Sequence, residues 1–401
     1  MTSQGFIALG VDTDLADELA GAGIDEPFSI QLMAIPDILS GQDVCGRAKT
    51  GSGKTIAFGL PMVQMIATAK PGRPGGLILV PTRELAVQVT AVLEPLAKVR
   101  NIPLLTVYGG SPMRTQIAAI KQGCGIVVAT PGRLIDLMDR KVIDLRDVEI
   151  VAIDEADQMA DMGFLPQVRR IMRSVPEKHQ TLLFSATLDG QVGTLVEAYM
   201  HDPVRHEVSS PTQHVDTMEH RFLKVHHMDK VKVAAEIASY QGRTLMFVRT
   251  KHACDRLARD LEQYGTRARA IHGDLHQRQR EKALRQFSEG TIPVLVATNV
   301  AARGLHIDDV DVVLHYDPPD DPKTYVHRSG RTARAGESGL VVTLVEWDQV
   351  NEVLGIQRRA GLNVPIVKMF SNDERLADLS SWEPPLEMAP FGSTARRRRR
   401  L

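Results

Sequence analysis

Two short segments of the chain combine glycine, lysine, hydroxyl and acidic residues in spacings that could support phosphate chemistry. The first is AKTGSGKT at 48–55, which follows a strand-like run and leads into a helix-like stretch. Gly51 and Gly53 would let backbone N–H groups turn towards phosphate oxygens, and the helix N-terminus would add its positive dipole end. Lys54 could reach the β- and γ-phosphates, and the Thr55 hydroxyl could bind Mg²⁺. The alternative is an ordinary glycine-rich turn, which the GSGKT spacing disfavours.

The second segment is IVAIDEAD at 150–157, where four apolar residues precede the acids. A buried strand that ends in carboxylates is the usual second half of a phosphate site. Asp154 would hold Mg²⁺ through water, and Glu155 would orient the attacking water or accept its proton. An Asp-Glu pair after a strand is by itself more often a solvated turn, but the upstream loop favours the catalytic interpretation.

Apolar runs rich in β-branched residues alternate with helix-like stretches, which predicts α/β architecture with a parallel sheet flanked by helices. In the first half the runs are 77–80, 126–129, 150–153 and 181–184, and in the second half they are 245–248, 294–297, 312–316 and 340–345. The separation along the sequence between the first two runs is the same in both halves. We infer an internal repeat of two similar domains, against the alternative that unrelated α/β domains share this spacing by chance.

The composition is that of a globular protein of two or three domains, with 401 residues of which 43% are hydrophobic and 24% charged. It excludes a mainly disordered chain, a collagen-like fibre and a disulfide scaffold. There is no apolar run of the ~18 residues that span a bilayer, no signal-peptide pattern and no paired cysteine motif. We therefore expect a cytoplasmic protein. The net charge of −1 leaves nucleic-acid binding to be argued from motifs.

Further motifs stand in a fixed order around the two segments, and together they resemble the DEAD-box ATP-dependent RNA helicases. The signature is Asp154-Glu155-Ala156-Asp157. The others are PTRELAVQ (81–88), GG (109–110), TPGR (130–133), SAT (185–187), HGDLHQRQR (272–280), ATNVAARGLHI (297–307) and HRSGRTAR (327–334). Each is weak alone, but their shared order is not accidental. The resemblance covers residues 6–370 and implies two RecA-like P-loop domains, with ATP and Mg²⁺ as cofactors.

We divide the chain accordingly into an N-terminal ATP-binding domain (1–207), a flexible linker (208–216), a C-terminal helicase domain (217–370) and a mobile tail (371–401). The polar, Ser- and Pro-containing sequence suits the linker, and the Ser/Pro/Glu-rich composition suits the tail. We expect Trp347 to pack in the second domain and Trp382 to be exposed in the tail.

The resemblance also implies an adenine-reading segment upstream of the loop, within residues 6–31. GIDEPFSIQ at 23–31 is similar to it, and Gln31 offers both a donor and an acceptor to the base edge. Phe6 resembles an isolated upstream aromatic that stacks on the base; the alternative is an exposed N-terminal aromatic. Ile24 and Phe28 stand where the family usually has an aromatic residue and Ser or Thr, which leaves the preference for ATP over GTP open.

The second domain is expected to complete the catalytic site. Arg331 and Arg334 resemble arginine fingers, which neutralise charge on the γ-phosphate in the transition state, and His327 resembles the link between that phosphate and the acidic motif. The full nucleotide-contacting set implied is Phe6, Gln31, Ala48, Lys49, Thr50, Gly51, Ser52, Gly53, Lys54, Thr55, Asp154, Arg303, His306, Arg331 and Arg334. Asn299 and His306 replace the usual Asp, so we expect retained activity with altered nucleotide affinity.

Ser185 and Thr187 are expected to hydrogen-bond towards Asp157 and to tie the nucleotide state to domain closure. The alternative interpretation is that these two residues are only strand-end hydroxyls that cap a loop.

RNA is expected to lie across both domains on glycines, hydroxyls and arginines, which bind phosphates without reading bases. These residues are Thr82, Arg83, Gly109, Gly110, Thr130, Gly132, Arg133, Gln277, Arg280 and Thr298. Binding should then be sequence-independent and salt-sensitive. The Arg396–Arg400 run is either a second RNA anchor or a solvated end.

The resulting hypothesis is an RNA-dependent ATPase that separates RNA strands locally or remodels RNA–protein complexes. Two rivals remain open: an ATP-gated RNA clamp with little unwinding, and a DNA-directed helicase. The expected partner is RNA, with ribosomal or RNA-degradation proteins as a family-level guess, no membrane, and a monomeric state.

Overall fold

The computed structural model describes residues 4–48, 51–66, 70–188, 190–208, 218–302, 307, 310–332 and 339–382. The chain divides into two compact units, residues 1–209 and 210–401. Each unit holds one seven-stranded sheet, and every strand pair in the described residues is parallel. The predicted α/β fold with two mostly parallel, helix-flanked sheets is confirmed. The predicted linker lies outside the described residues except for Val208.

The first unit places its strands in the order β3-β4-β2-β5-β6-β1-β7. The strands are β1 (Val44–Arg47), β2 (Gly76–Leu79), β3 (Leu104–Val107), β4 (Ile126–Ala129), β5 (Ile150–Asp154), β6 (Gln180–Ser185) and β7 (Val204–Glu207). The helices are α1 (Gln4–Ile7), α2 (Thr13–Gly21), α3 (Ser29–Leu39), α4 (Lys54–Met65), α5 (Arg83–Val99), α6 (Met113–Gln122), α7 (Pro131–Asp139), α8 (Ala156–Asp161), α9 (Leu165–Met172) and α10 (Gln191–Tyr199).

The second unit places its strands in the order β10-β11-β9-β12-β13-β8-β14. The strands are β8 (Glu219–Lys224), β9 (Thr244–Val248), β10 (Ala268–Ile271), β11 (Val294–Thr298), β12 (Val312–His315), β13 (Leu340–Val345) and β14 (Ile366–Lys368). The helices are α11 (Lys230–Tyr240), α12 (Lys251–Gln263), α13 (Gln277–Ser288), α14 (Asn299–Ala302), α15 (Pro322–Ser329) and α16 (Val350–Arg359).

The two units repeat one design. The second strand order is the first with seven added to every label. The register repeats as well, since Leu77 pairs with Val127 and Leu245 pairs with Leu295. Even a helix cap recurs: Thr82 accepts the Leu85 N–H at the start of α5, and Thr250 accepts the Ala253 N–H at the start of α12. The chance alternative for the equal spacing is therefore wrong.

The sheets are buried on both faces. Since successive side chains of a strand point to opposite sides of the sheet, each strand contributes to the apolar packing on both faces. On β2, Ile78 joins the apolar cluster around Phe58, whereas Leu77 and Leu79 join the cluster around Leu134. Such strands read as continuous apolar runs. Since parallel strands end at the same edge of a sheet, the motifs that follow β1, β2, β4 and β5 are brought to one edge of the first unit.

The prediction of a tail that begins at 371 is wrong for residues 371–382. A 3-10 turn at Glu374–Asp378 buries Leu376, and Leu379 is fully buried as well. The Arg221 Nε donates to the Leu379 carbonyl oxygen at 2.8 Å, which fastens this segment to the start of β8. The C-terminal domain therefore extends at least to residue 382.

Both tryptophan expectations are also wrong. Trp347 is 75% exposed. Trp382 packs against the apolar cluster of the second unit, and the Arg375 guanidinium lies 5.0 Å from its ring centroid.

Among the helices of the described residues, none has both the length and the apolar character that a bilayer crossing requires.

Candidate active site and nucleic-acid interface

The described part of the 48–55 loop joins β1 to α4 through two glycines with left-handed backbone. Gly51 has φ 82° and Gly53 has φ 85°, conformations that glycine adopts without steric cost. A Cβ on Gly53 would also lie 2.5 Å from Gln31 Nε2. Ala48 donates its N–H to the Ser185 carbonyl oxygen at 3.1 Å, which holds the loop against β6. Ser52 and Thr55 are half-buried, while Lys49 and Thr50 lie outside the described residues.

A buried cluster of one cation and two acids forms where α4 begins. Lys54, in the first turn of α4, places its Nζ 2.5 Å from Glu155 Oε1 and 3.8 Å from Asp154 Oδ1. The Lys54 and Asp154 side chains are each only 5% exposed. Asp154 ends β5, and Glu155 follows with φ 52°. A non-glycine residue in this region is strained and is often functional.

Burial and neighbouring charges oppose each other in this cluster. Burial raises the pKa of Asp154 to about 7, an effect that Lys54 opposes and Glu155 reinforces. Burial alone would lower the pKa of Lys54, but Glu155 and Asp154 raise it above its ordinary value. Lys54 therefore stays protonated, and an anion that displaces the carboxylates could bind its positive charge.

Asp157 connects the acidic motif to the end of β6. Its backbone N–H donates to Ser185 Oγ at 3.1 Å, and its Oδ2 accepts from Thr187 Oγ1 at 3.4 Å. Both hydroxyls of the SAT motif thus contact this one residue.

Gln31 is buried against the same loop. Its Oε1 accepts the Phe28 N–H at 2.8 Å and its Nε2 donates to the Gly53 carbonyl oxygen at 3.0 Å. Both groups of its amide thus contact the chain, and contact with a base stays a prediction.

Phe6 lies in the apolar core of the first unit. Its ring is fully buried, in the apolar cluster that contains Leu15 and Ile35. The alternative of an exposed aromatic is therefore wrong. Neither ring face is exposed in this conformation, and stacking on a base stays a prediction.

The first-unit residues expected to contact RNA lie after β2, β3 and β4, which are neighbours in the sheet. Gly110 has φ 85°, and a Cβ there would collide with the Arg83 guanidinium. Gly109 lies beside the same guanidinium, with Arg83 Nη2 3.9 Å from the corresponding Cβ position. Thr82 caps α5 with its side chain. The structure thus brings PTRELAVQ and the GG motif together.

The TPGR motif joins this group through β3. The Thr130 N–H donates to the Val107 carbonyl oxygen at 2.9 Å. Arg133 Nη1 donates to the Ser111 carbonyl oxygen at 3.2 Å and to Gln116 Oε1 at 3.0 Å. Gly132 faces open space, since nothing lies within 4 Å of a Cβ placed on it.

In the second unit, several expected residues lie at the carboxyl ends of strands and at helix ends. Thr298 ends β11, and His327 is in the last turn of α15, shortly before Arg331. Gln277 opens α13, one turn before the buried Arg280. Arg303, His306 and Arg334 lie outside the described residues.

Comparison with known proteins identifies both units. Residues 28–195 match the family model "DEAD/DEAH box helicase", and residues 224–336 match "Helicase conserved C-terminal domain". "DEAD-box ATP-dependent RNA helicase CshA" of Geobacillus kaustophilus is 39% identical over 373 residues, which cover 92% of this chain and 80% of that protein. The chain belongs to the DEAD-box ATP-dependent RNA helicase family.

Two further proteins bear on this assignment. "ATP-dependent RNA helicase CshA" of Listeria monocytogenes is 43% identical over 85% of this chain, which spans 66% of that protein's length. The solved structure "S. cerevisiae Dbp5 bound to RNA and ADP BeF3" has a TM-score of 0.80 at 30% identity, covering 92% of this chain and 96% of that one.

Two positioning contacts of this DEAD-box chain escaped the sequence analysis. Gln116 bridges two motifs, because its Nε2 donates to the Tyr108 carbonyl oxygen at 3.0 Å while its Oε1 accepts from Arg133. In the second unit Arg328 Nε donates to Asn299 Oδ1 at 2.5 Å. Asn299, noted only as a departure from Asp, thus makes a hydrogen bond where an Asp would make an ion pair. Neither the role of Gln116 nor this pairing could be predicted from residue spacing in the sequence.

Proposed function

We propose that this chain binds Mg·ATP at the 48–55 loop and couples ATP hydrolysis to local, sequence-independent separation of RNA strands. The observation that carries the proposal is the buried cluster of Lys54, Asp154 and Glu155. Charges removed from water are stable only while they are paired. The phosphate oxygens of a bound triphosphate would replace the carboxylates as the partners of Lys54. Both carboxylates would then be left for the metal ion and the attacking water.

The donor set of the cluster fits Mg²⁺ held together with ATP. Mg²⁺ takes oxygen ligands and usually binds one or two carboxylates together with phosphate oxygens and waters. Asp154 supplies a buried carboxylate, which is proposed to hold the ion through water, and Thr55 supplies a hydroxyl in the first turn of α4, which is proposed to bind it. When bound, the ion neutralises charge on the β- and γ-phosphates.

Glu155 is proposed to orient the attacking water. Its left-handed backbone, with φ 52°, sets the direction of the side chain at the end of β5. His327, Arg331 and Arg334 of the second unit are proposed to meet the γ-phosphate, where guanidinium groups typically contribute ~10³–10⁵ in rate. Arg303 and His306 are proposed to support the closed site and the ribose.

RNA is proposed to lie on the group formed by Arg83, Gly109, Gly110, Thr130 and Arg133. Guanidinium groups and exposed backbone N–H groups bind phosphate oxygens of any sequence. Asp157, with its contacts to Ser185 and Thr187, is proposed to tie the nucleotide state to domain closure.

The experiment is strand release from a short RNA duplex, with protein at substoichiometric concentration. We expect ATP-dependent release by the parent and none by Lys54→Ala, which lacks the phosphate-binding cation. Long-lived RNA binding in ATP without release would instead support the clamp.

A cytoplasmic location is also proposed. It is supported by Cys45, Cys124 and Cys254, which are buried free thiols, as is typical of a reducing compartment.

A further inference from the structure

The second unit repeats the buried lysine cluster of the first unit at the matching place in its sheet. β8 corresponds to β1 and β12 to β5, since the two strand orders differ only by seven in every label. Lys54 is the first residue of the helix after β1, and Lys230 is the first residue of α11, the helix after β8. The Lys230 side chain is only 4% exposed. The two lysines therefore hold equivalent positions in the two units.

Lys230, like Lys54, contacts two carboxylates. Its Nζ lies 2.8 Å from Glu346 Oε1 and 3.3 Å from Asp317 Oδ1. Asp317 follows β12, and Glu346 follows β13. The Tyr316 ring also contacts the ammonium group, with its centroid 4.5 Å from Nζ. Because charges removed from water are stable only while they are paired, the lysine and its two acids depend on one another.

The surroundings of Lys230 do not suit a phosphate. The segment 225–229, which joins β8 to α11, contains no glycine, the residue type that turns backbone N–H groups towards an anion in the first unit. The segment ends in Asp229, whose carboxylate accepts the Ser371 N–H at 2.8 Å and the Ser371 hydroxyl at 2.7 Å. The N-terminus of α11 thus already carries a negative charge, which would repel a phosphate.

Asp317 connects Lys230 to two arginines. Its other carboxylate oxygen, Oδ2, accepts the Arg249 N–H at 2.8 Å. Its backbone carbonyl oxygen accepts a hydrogen bond from Arg328 Nη1, also at 2.8 Å. Lys230 therefore fixes the side chain of Asp317, and the backbone of Asp317 fixes the Arg328 guanidinium.

Arg328 lies within the motif HRSGRTAR and is only 4% exposed. Its Nε donates to Asn299 Oδ1 at 2.5 Å. Its backbone carbonyl oxygen accepts the Arg331 N–H at 3.3 Å. His327 and Arg331, which are proposed to meet the γ-phosphate, therefore lie next to an arginine whose side chain is held on two sides.

We propose that Lys230 and Asp317 are positioning residues for ATP hydrolysis, because together they fix Arg328 and, through it, the residues that meet the γ-phosphate. The inference rests on the proposed function. A displacement of about 1 Å in a positioned group can lower a rate by roughly 10²-fold, so loss of the contact between Lys230 and Asp317 should lower kcat. The affinity for ATP should not change, because the phosphate loop belongs to the first unit.

The test compares Asp317→Asn with Glu346→Gln in the full chain. Both substitutions replace a carboxylate that Lys230 contacts, and the two side chains are similarly exposed, at 21% and 27%. Asparagine has one acceptor oxygen where Asp317 uses two, so its NH₂ group would face either Lys230 or the Arg249 N–H. Glutamine in place of Glu346 can still turn its oxygen to Lys230, and it leaves Asp317 unchanged.

ATP turnover at saturating RNA gives kcat, and ATP titration without RNA gives the dissociation constant. Asp317→Asn should lower kcat by roughly 10²-fold and leave the dissociation constant unchanged. Glu346→Gln should stay within a few-fold of the parent in both. Denaturant unfolding of the two variants separates this role from a structural one, which would lower stability without a difference in kcat.

A second variant, Lys230→Met with Glu346→Gln, keeps the test open if Asp317→Asn does not fold, since it removes one positive and one negative charge together. It should lower kcat as well, because Asp317 then lacks Lys230. A kcat that either variant retains, or that Glu346→Gln alone loses to the same extent, would overturn the positioning role. A parent whose turnover is not stimulated by RNA would instead refute the proposed function.

Discussion

At the scale of single residues, the proposed function depends on a buried lysine that contacts two carboxylates. Two short motifs predict Lys54, Asp154 and Glu155 as functional residues, and the fold places Lys54 Nζ within 4 Å of both carboxylates. The positive φ of Glu155 and the burial of Phe6 have no such signal. Both depend on how distant segments pack, which a local pattern does not encode.

Gly110 offers a test of the RNA surface at this scale. Gly110→Ala should displace the Arg83 guanidinium and strain a left-handed backbone, which costs about 1–2 kcal/mol. RNA affinity should fall in the same variant, because Arg83 is proposed to bind phosphate. Denaturant unfolding and RNA titration measure the two effects.

Gly132→Ala is the companion variant, since Gly132 lies in α7 and faces open space. It should not lower stability, because Ala is favoured over Gly within a helix by roughly 0.5–1 kcal/mol. If Gly110→Ala matched the parent in both measurements, the Arg83 arrangement would play no part in RNA binding.

At the scale of elements, most central strands were predictable and the edge strands were not, although the central strand β8, which reads EHRFLK, gave no apolar run. All eight apolar runs correspond to central strands, because a parallel strand buried on both faces is a continuous apolar run. The edge strands β7 and β10 read VRHE and ARAI and are partly exposed. Because these strands contain polar residues, they do not form the continuous apolar runs from which strands were predicted.

The central strand β12 leads to a prediction about pH. His315 is fully buried, its Nδ1 lies 3.1 Å from Thr343 Oγ1, and the rings of Phe247 and Tyr325 pack around it. Burial holds the pKa of His315 well below 6.5, with Arg328 and His220 acting in the same direction. Below pH 6.5 the unfolded chain therefore binds a proton that the folded chain does not, and folding stability falls as the pH is lowered.

His315→Gln removes this titration. The stability advantage of the parent over the variant should shrink below pH 6.5 by up to about 1.4 kcal/mol per pH unit. Tryptophan fluorescence during denaturant unfolding measures it, because both tryptophans lie in the second unit. Parallel stability curves for the two proteins between pH 5 and 7 would show that His315 does not stay neutral in the fold.

At the scale of the whole molecule, the repeat was the strongest prediction. Equal spacing of apolar runs was enough to infer two similar domains, and the strand orders and registers confirm it. The end of the second domain was misjudged, since the Ser/Pro/Glu-rich composition of 371–401 as a whole indicated a tail. Leu376 and Leu379 anchor residues 371–382. Two leucines among polar residues are too weak a pattern to predict a buried segment.

The Arg396–Arg400 run lies outside the described residues and stays a prediction. Deleting it should weaken RNA binding at low salt and flatten the slope of log K against log salt, by up to ~0.7 per lost contact with a single strand. Turnover at saturating RNA should barely change. Replacing the five arginines with serines keeps the length and should act in the same way. An unchanged slope in both variants would identify a solvated end.

The most direct test of the account is ATP turnover without nucleic acid, with single-stranded RNA and with DNA of matching sequence, for the parent and Glu155→Gln. We expect RNA, and not DNA, to stimulate the parent strongly. Glu155→Gln keeps Asp154 and Lys54 for Mg·ATP, so it should still bind ATP and RNA while turnover falls by orders of magnitude. Equal stimulation by DNA would contradict the RNA-directed function, and turnover of Glu155→Gln within a few-fold of the parent would contradict the catalytic site.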